Sequence, residues 1–75
     1  MIVNQDNHPQ RQVYYLGAKA LKILSSKGGA VDFFEIYQEL KVKEDISLRL
    51  FILTIDWLYL LGTIRSNKGI IEQCS

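Results

Sequence analysis

The sequence predicts a mainly α domain, three helices followed by a small β-hairpin, and two observations carry that prediction. The first is the run Ser47 to Gly62, in which only Arg49, Thr54 and Asp56 interrupt apolar residues. The second is the Asn67-Lys68-Gly69 turn between two short β-prone runs near the end of the chain.

Seventy-five residues make one domain, read here as 1–75 with residues 1–8 a flexible N-terminal arm. A chain of that length buries about 60% of the surface its unfolded form exposes. With 48% hydrophobic residues it has more apolar side chains than a small core can hold, so covering by a partner is the economical expectation.

The first helix starts at Pro9, since proline is favoured in the first turn, where its missing N–H costs nothing. Val13, Leu16, Gly17, Ala20, Leu21 and Leu24 then recur at helical spacing, and Gly28 with Gly29 ends the helix after Lys27. Gly17 costs about 1 kcal/mol against alanine in a helix interior. Its place beside Ala18 and Ala20 predicts a small-residue patch against which the large side chains of the third helix pack.

Ala30 and Val31 read as a short extended link. Asp32, with Glu35 three residues on, reads as a capping-box variant opening a second helix whose stripe is Phe33, Ile36, Tyr37 and Leu40. Lys41-Val42-Lys43-Glu44-Asp45 is expected to be a charged, solvated turn before the third helix. There Ser47 is the N-cap, Ile46 and Phe51 are spaced as a hydrophobic staple, and Gly62 suits a left-handed stop. This helix is too short for a membrane span and carries Asp56 near its middle. A long buried strand is the other alternative, disfavoured by its Leu content and length. Arg49, Asp56 and Thr54 are expected to form a polar exposed seam along it. The hairpin needs support from the helices through Ile64 and either Ile70 or Ile71.

Helix, helix, helix, hairpin is a winged-helix layout, so the fold expected is a three-helix winged-helix-like domain. Nucleic-acid readout by its third helix is disfavoured. Base contact needs Arg, Lys, Asn, Gln or Ser along the helix, and only Arg49 and Thr54 stand between Leu48 and Leu61. A net charge of +1 adds no electrostatic footprint. Arg65 and Lys68 on the hairpin, with Lys19, Lys22 and Lys27 on the first helix, are the residues placed to touch phosphate, ordinary solubilising charge being the alternative reading of all five.

Catalysis finds no constellation. His8 and Cys74 are the only imidazole and thiol, so no metal site or cofactor is expected, and Asp32 with Glu35 already serves a helix cap. One cysteine excludes an internal disulfide and favours a reducing compartment; Met1 to His8 carries no signal-peptide pattern, so the expected location is cytoplasmic.

Pro-Gln-Arg-Gln-Val-Tyr-Tyr-Leu-Gly-Ala-Lys-Ala-Leu-Lys-Ile-Leu from Pro9, and Asp-Trp-Leu-Tyr-Leu-Leu-Gly-Thr-Ile from Asp56, resemble the small middle components of bacterial ABC-three-component systems, Lamassu-type defence systems among them. The resemblance runs from about Pro9 to Glu72. It implies a non-catalytic adaptor subunit of an antiviral or anti-plasmid complex. Its partners would be an SMC-like ABC ATPase, of the chromosome-maintenance and double-strand-break-repair kind, and a nuclease effector, with nucleic acid met mainly through the complex. The apolar third helix would supply the partner contacts, through Leu50, Phe51, Leu53, Trp57, Leu58 and Leu61. Two other readings stand beside it: a small winged-helix DNA-binding transcriptional regulator, and a homodimer of the isolated chain through the Trp57 helix.

Overall fold

The computed structural model describes residues 9–74, with side chains from residue 12 on. The expected N-terminal arm, including His8 and the edge strand weighed at Ile2 and Val3, lies outside the described residues. Three helices, α1 (Pro9–Ser26), α2 (Phe33–Glu44) and α3 (Leu48–Leu60), accompany three strands, β1 (Ala30–Asp32), β2 (Ile64–Asn67) and β3 (Ile70–Gln73). This mainly helical arrangement with one small antiparallel sheet is compatible with a small winged-helix-like domain.

Each helix ends where its local chemistry dictates. Gly29 N–H donates to Leu24 O at 2.7 Å and Gly28 N–H to Ser25 O at 3.3 Å, which closes α1 with the paired bonds of a Schellman cap. The same pattern closes α3, where Thr63 N–H reaches Leu58 O at 3.1 Å and Gly62 N–H reaches Tyr59 O at 3.0 Å. Gly62 holds φ at 77°, a left-handed value that a side chain would strain. Ser47 Oγ accepts the Leu50 N–H at 3.1 Å, and its flanking staple residues Ile46 and Phe51 are both buried.

At the start of α2 the capping is simpler than the sequence suggests. Asp32 Oδ1 accepts the Phe34 N–H at 2.8 Å, while Glu35 turns to Lys27, whose Nζ lies 3.2 Å from both Glu35 and Glu39. The Glu39 hydrogen bond first, and then that of Glu35, raises the Lys27 pKa above its ordinary 10.5. A raised lysine stabilises the fold below the unfolded value, so this tie between α1 and α2 is lost only as the pH climbs through the folded pKa, above 10.5. The pair is exposed and contributes little at neutral pH.

The extended link expected at Ala30 and Val31 is a full strand. β1 pairs with β3 in the register Ala30↔Glu72, Val31↔Ile71 and Asp32↔Ile70, giving the sheet order β1-β3-β2. The physical reason is that a hairpin leaves one side of β3 unpaired. Gly29 O takes the Gln73 N–H there at 2.7 Å. Register also decides between the two isoleucines: Val31, Ile71 and Ser66 share the inner face, so Ile71 is buried with Ile64 and Ile70 is only half-buried. The hairpin turns at Lys68 and Gly69, with φ of 54° and 83°.

Leu16, Ala20, Ile23 and Leu24 of α1 meet Ile36 and Leu40 of α2 and Phe51, Ile55 and Leu58 of α3 in one core. Phe51 is its centre, with the Phe33 ring 5.0 Å and the Tyr37 ring 5.1 Å away. Thr54 is fully buried here rather than on the polar seam with Arg49 and Asp56, which are exposed. Its hydroxyl donates to Leu50 O at 2.9 Å, and that bond back to the preceding turn removes the desolvation cost that would otherwise keep it outside.

Gly17 is buried in the α1–α3 contact. A Cβ added there would lie 3.0 Å from Trp57 Cζ3 and 3.2 Å from Leu58 Cδ2. Of the small residues expected to accept α3, Gly17 and Ala20 are buried, whereas Ala18 faces solvent. Gly17→Ala should therefore destabilise the domain by about 1 kcal/mol in urea unfolding, because overpacking against Leu58 outweighs a helix-propensity gain of about 1 kcal/mol. A stabilised variant would show that the helices have room to separate.

Candidate functional site: an apolar stripe on α3

A 13-residue helix packed on one side against a small core must turn its other side outward. Phe51, Thr54, Ile55 and Leu58 take the inner face, and the remaining positions follow from 3.6 residues per turn. Arg49, Leu53, Asp56 and Leu60 fall opposite the core. Leu53 is 47% exposed, Leu61 55% and Leu60 86%, with Ile52 and Tyr59 also exposed. For an apolar helix these are large values, and they lie together rather than scattered.

Leu53, Trp57 and Leu61 follow at four-residue intervals and make one stripe along the edge of α3 that borders α1. Trp57 is half-buried and lies over Gly17, where the missing Cβ gives its six-membered ring room. On its far side stands Tyr14 of α1, ring centroid 5.7 Å away and itself 68% exposed. Tyr14 precedes Gly17 by three residues, so the two share a helix face, and the stripe becomes a two-helix surface of Tyr14, Leu53, Trp57 and Leu61.

The six residues expected to bind a partner divide by this geometry. Leu53 and Leu61 are exposed, and Leu50 and Trp57 are half-buried at the boundary. Phe51 and Leu58, at 0% and 1% exposure, lie in the core, where they fix the helix and reach no outside surface. Sequence reasoning missed Tyr14 and Leu60; the spacing of Tyr14 from Gly17 was the signal for the first, and nothing distinguished Leu60 from its apolar neighbours.

On the hairpin, Arg65 and Glu72 face each other across the strands and Arg65 Nε donates to Glu72 Oε1 at 2.7 Å. The Glu72 bond pushes the Arg65 pKa further above its ordinary value, and the pair places one negative charge beside the arginine. Lys68 stands alone at the turn. The solvent face of α3 offers one cation, Arg49, and one carboxylate, Asp56, among apolar side chains, a poor match to base edges or phosphate.

Among the described residues there is no group of three or more His, Cys, Asp or Glu that could hold a metal ion, and no helix is long and apolar enough to cross a membrane. An open cleft of about 480 Å³ beside the start of α3 is lined by Gln12, Tyr15, Glu44, Asp45, Ser47 and Leu50. The Tyr15 hydroxyl already donates to Glu44 Oε2 at 3.0 Å. Cys74 is a free, exposed thiol.

Residues 3–74 match the family model described as ABC-three component (ABC-3C) system Middle Component 6. No curated protein and no solved structure matches the chain significantly.

Since the Trp57 ring closes the gap between α1 and α3 but keeps one side in solvent, Trp57→Ala should cost about 2 to 3 kcal/mol, below the range for a fully enclosed tryptophan. Urea unfolding checks this. A loss under about 1 kcal/mol, typical of surface positions, would remove Trp57 from the helix contact.

Proposed function

Because the chain belongs to the middle component 6 family of ABC-three-component systems, we propose that it is a non-catalytic adaptor subunit that docks on the system's ATPase through the α3 stripe. The observation that carries this reading is the exposed apolar surface of Tyr14, Leu53, Trp57 and Leu61. A family whose members work with other components supplies the need for such a surface.

The resemblance to Lamassu-type systems supports an SMC-like ABC ATPase as the partner, with a nuclease effector as a candidate second protein to be held. In this reading the adaptor keeps the complex at rest until phage or plasmid DNA is sensed, and DNA is met through the complex rather than by this chain. The energetics suit the role. Burying a Leu or Trp side chain stabilises a contact by about 1.5 to 3 kcal/mol, so a few residues suffice for a specific interface. Arg49 and Asp56 at the rim would orient the partner and set the association rate.

Leu53→Glu and Leu61→Glu test this directly, since both positions are exposed and neither contributes to the core. Each should weaken retention of the co-expressed ATPase by at least about tenfold, a loss of about 1.4 kcal/mol, while the unfolding midpoint stays at the wild-type value. Wild-type retention by the double variant would remove the α3 stripe as the docking surface.

A further inference from the structure

The line of α3 that faces away from the core is distinct from the stripe that borders α1. At 3.6 residues per turn, Arg49 and Asp56 fall within about 20° of one another on that line, with Ile52 about 50° to one side of it and Leu53 about 50° to the other. All four are exposed. Leu48 and Tyr59 stand on the Ile52 side, and with Ile52 they are 44%, 53% and 43% exposed, so the half of α3 away from α1 is also apolar and uncovered. The two charges lie two turns apart, and among the described residues neither makes an ion pair.

Set against a copy of itself running the opposite way, this face satisfies its own pattern. A two-fold axis passing midway between Arg49 and Asp56 brings the arginine of each copy opposite the aspartate of the other. The same axis sets Ile52 against Ile52 on one side and Leu53 against Leu53 on the other, and brings Leu48 of each copy near Tyr59 of the other. A parallel pair would instead oppose like charges at both positions.

We propose that α3 of the free chain pairs antiparallel with α3 of a second copy, in the register that joins Arg49 of each to Asp56 of the other. The charge pattern selects this occupant. An extended segment laid along the helix would bury backbone groups that α3, whose own are bonded internally, has nothing to pair with. A phosphate backbone or an anionic membrane surface would meet the Asp56 carboxylate. Trp57 falls about 90° from the contact line, on the α1 side, and stays outside the pairing. The inference concerns the isolated chain and does not rest on the adaptor reading. Leu53 is the residue that the pairing shares with the α3 stripe, so the two contacts compete for it. One helix from each copy makes a small interface, and the dimer is therefore weak and reversible.

Sedimentation equilibrium of the full chain, over a concentration series reaching about 1 mM, should show a reversible monomer–dimer equilibrium. Two charge reversals then test the register. Arg49→Asp alone and Asp56→Arg alone each put like charges together at both contacts, and each should raise the dimer Kd by at least about tenfold. Mixed in equal amounts, the two variants place opposite charges at both contacts, and the mixed dimer should return to within about threefold of the wild-type Kd. Both positions are exposed, so the unfolding midpoint of each variant should stay at the wild-type value. If either variant does not fold, a Cys74→Ser chain carrying Ile52→Cys decides: a short bis-maleimide reagent should join two copies through position 52, and failure to join them overturns the inference. A wild-type chain that stays monomeric throughout the series overturns it. So does a dimer that both reversals leave intact, or one that mixing them does not restore, since α3 would then pair in another register or not at all.

Discussion

The close approach of α1 and α3 at Gly17 is the contact on which the rest of the domain depends. A Cβ at that position would stand 3.0 Å from the Trp57 ring and 3.2 Å from Leu58, so one or both side chains of α3 would have to shift by a few tenths of an ångström. The approach turns the inner face of α3 so that Phe51 fills the centre of the core, and the same turn carries Leu53 and Leu61 outward. It also seats Trp57 between Gly17 and Tyr14, where the ring serves packing on one side and remains available on the other. One absent methyl group thus sets both the interior and the surface chemistry.

Size explains why the surface stays apolar. Two helices and a three-stranded sheet can cover one side of α3, and a chain this short leaves a large share of its surface in water. The interior shows no matching deficit, since among the described residues no buried side-chain nitrogen or oxygen lacks a hydrogen-bond partner. The apolar excess is concentrated outside, on the helix that also does most to organise the core. In a family defined by working alongside other components, that distribution suits the proposed role: the packing that places Phe51 and Leu58 also pre-orders the exposed stripe, which would reduce the entropy lost if a partner docks there.

Most of the fold was legible because its signals are local. Pro9, Ser47, the paired glycines after Lys27 and the turn at Lys68-Gly69 each impose a boundary through their own backbone chemistry, and the helices and hairpin fall between them. β1 was not legible as a strand, because three residues become one only when the unpaired side of β3 is beside them. Thr54 was placed outside for its hydroxyl, which the sequence could not show bonded to Leu50 O. The division of α3 into inner and outer faces was the hardest to read. Phase is ordinarily marked by polar residues, and here Arg49 and Asp56 mark only the outermost line. Phe51 and Leu58 were therefore not separable from Leu53 and Leu61 by residue type. The second helix of the surface, with Tyr14, depends on the packing of α1 against α3, and the three-residue spacing of Tyr14 from Gly17 marks only the α1 side of that contact.

Trp57 is the only tryptophan in the chain, which makes it a selective reporter of the stripe. With 5-fluorotryptophan incorporated, relaxation of the fluorine resonance by a dissolved paramagnetic agent can be compared for the isolated chain and for the proposed complex with the system's ATPase. If the stripe is the docking surface, the indole is accessible to the agent in the free chain and becomes shielded in the complex. Equal relaxation in both states, in a complex that demonstrably forms, would contradict the account, because the ATPase would then be bound with the Trp57 surface still open to water.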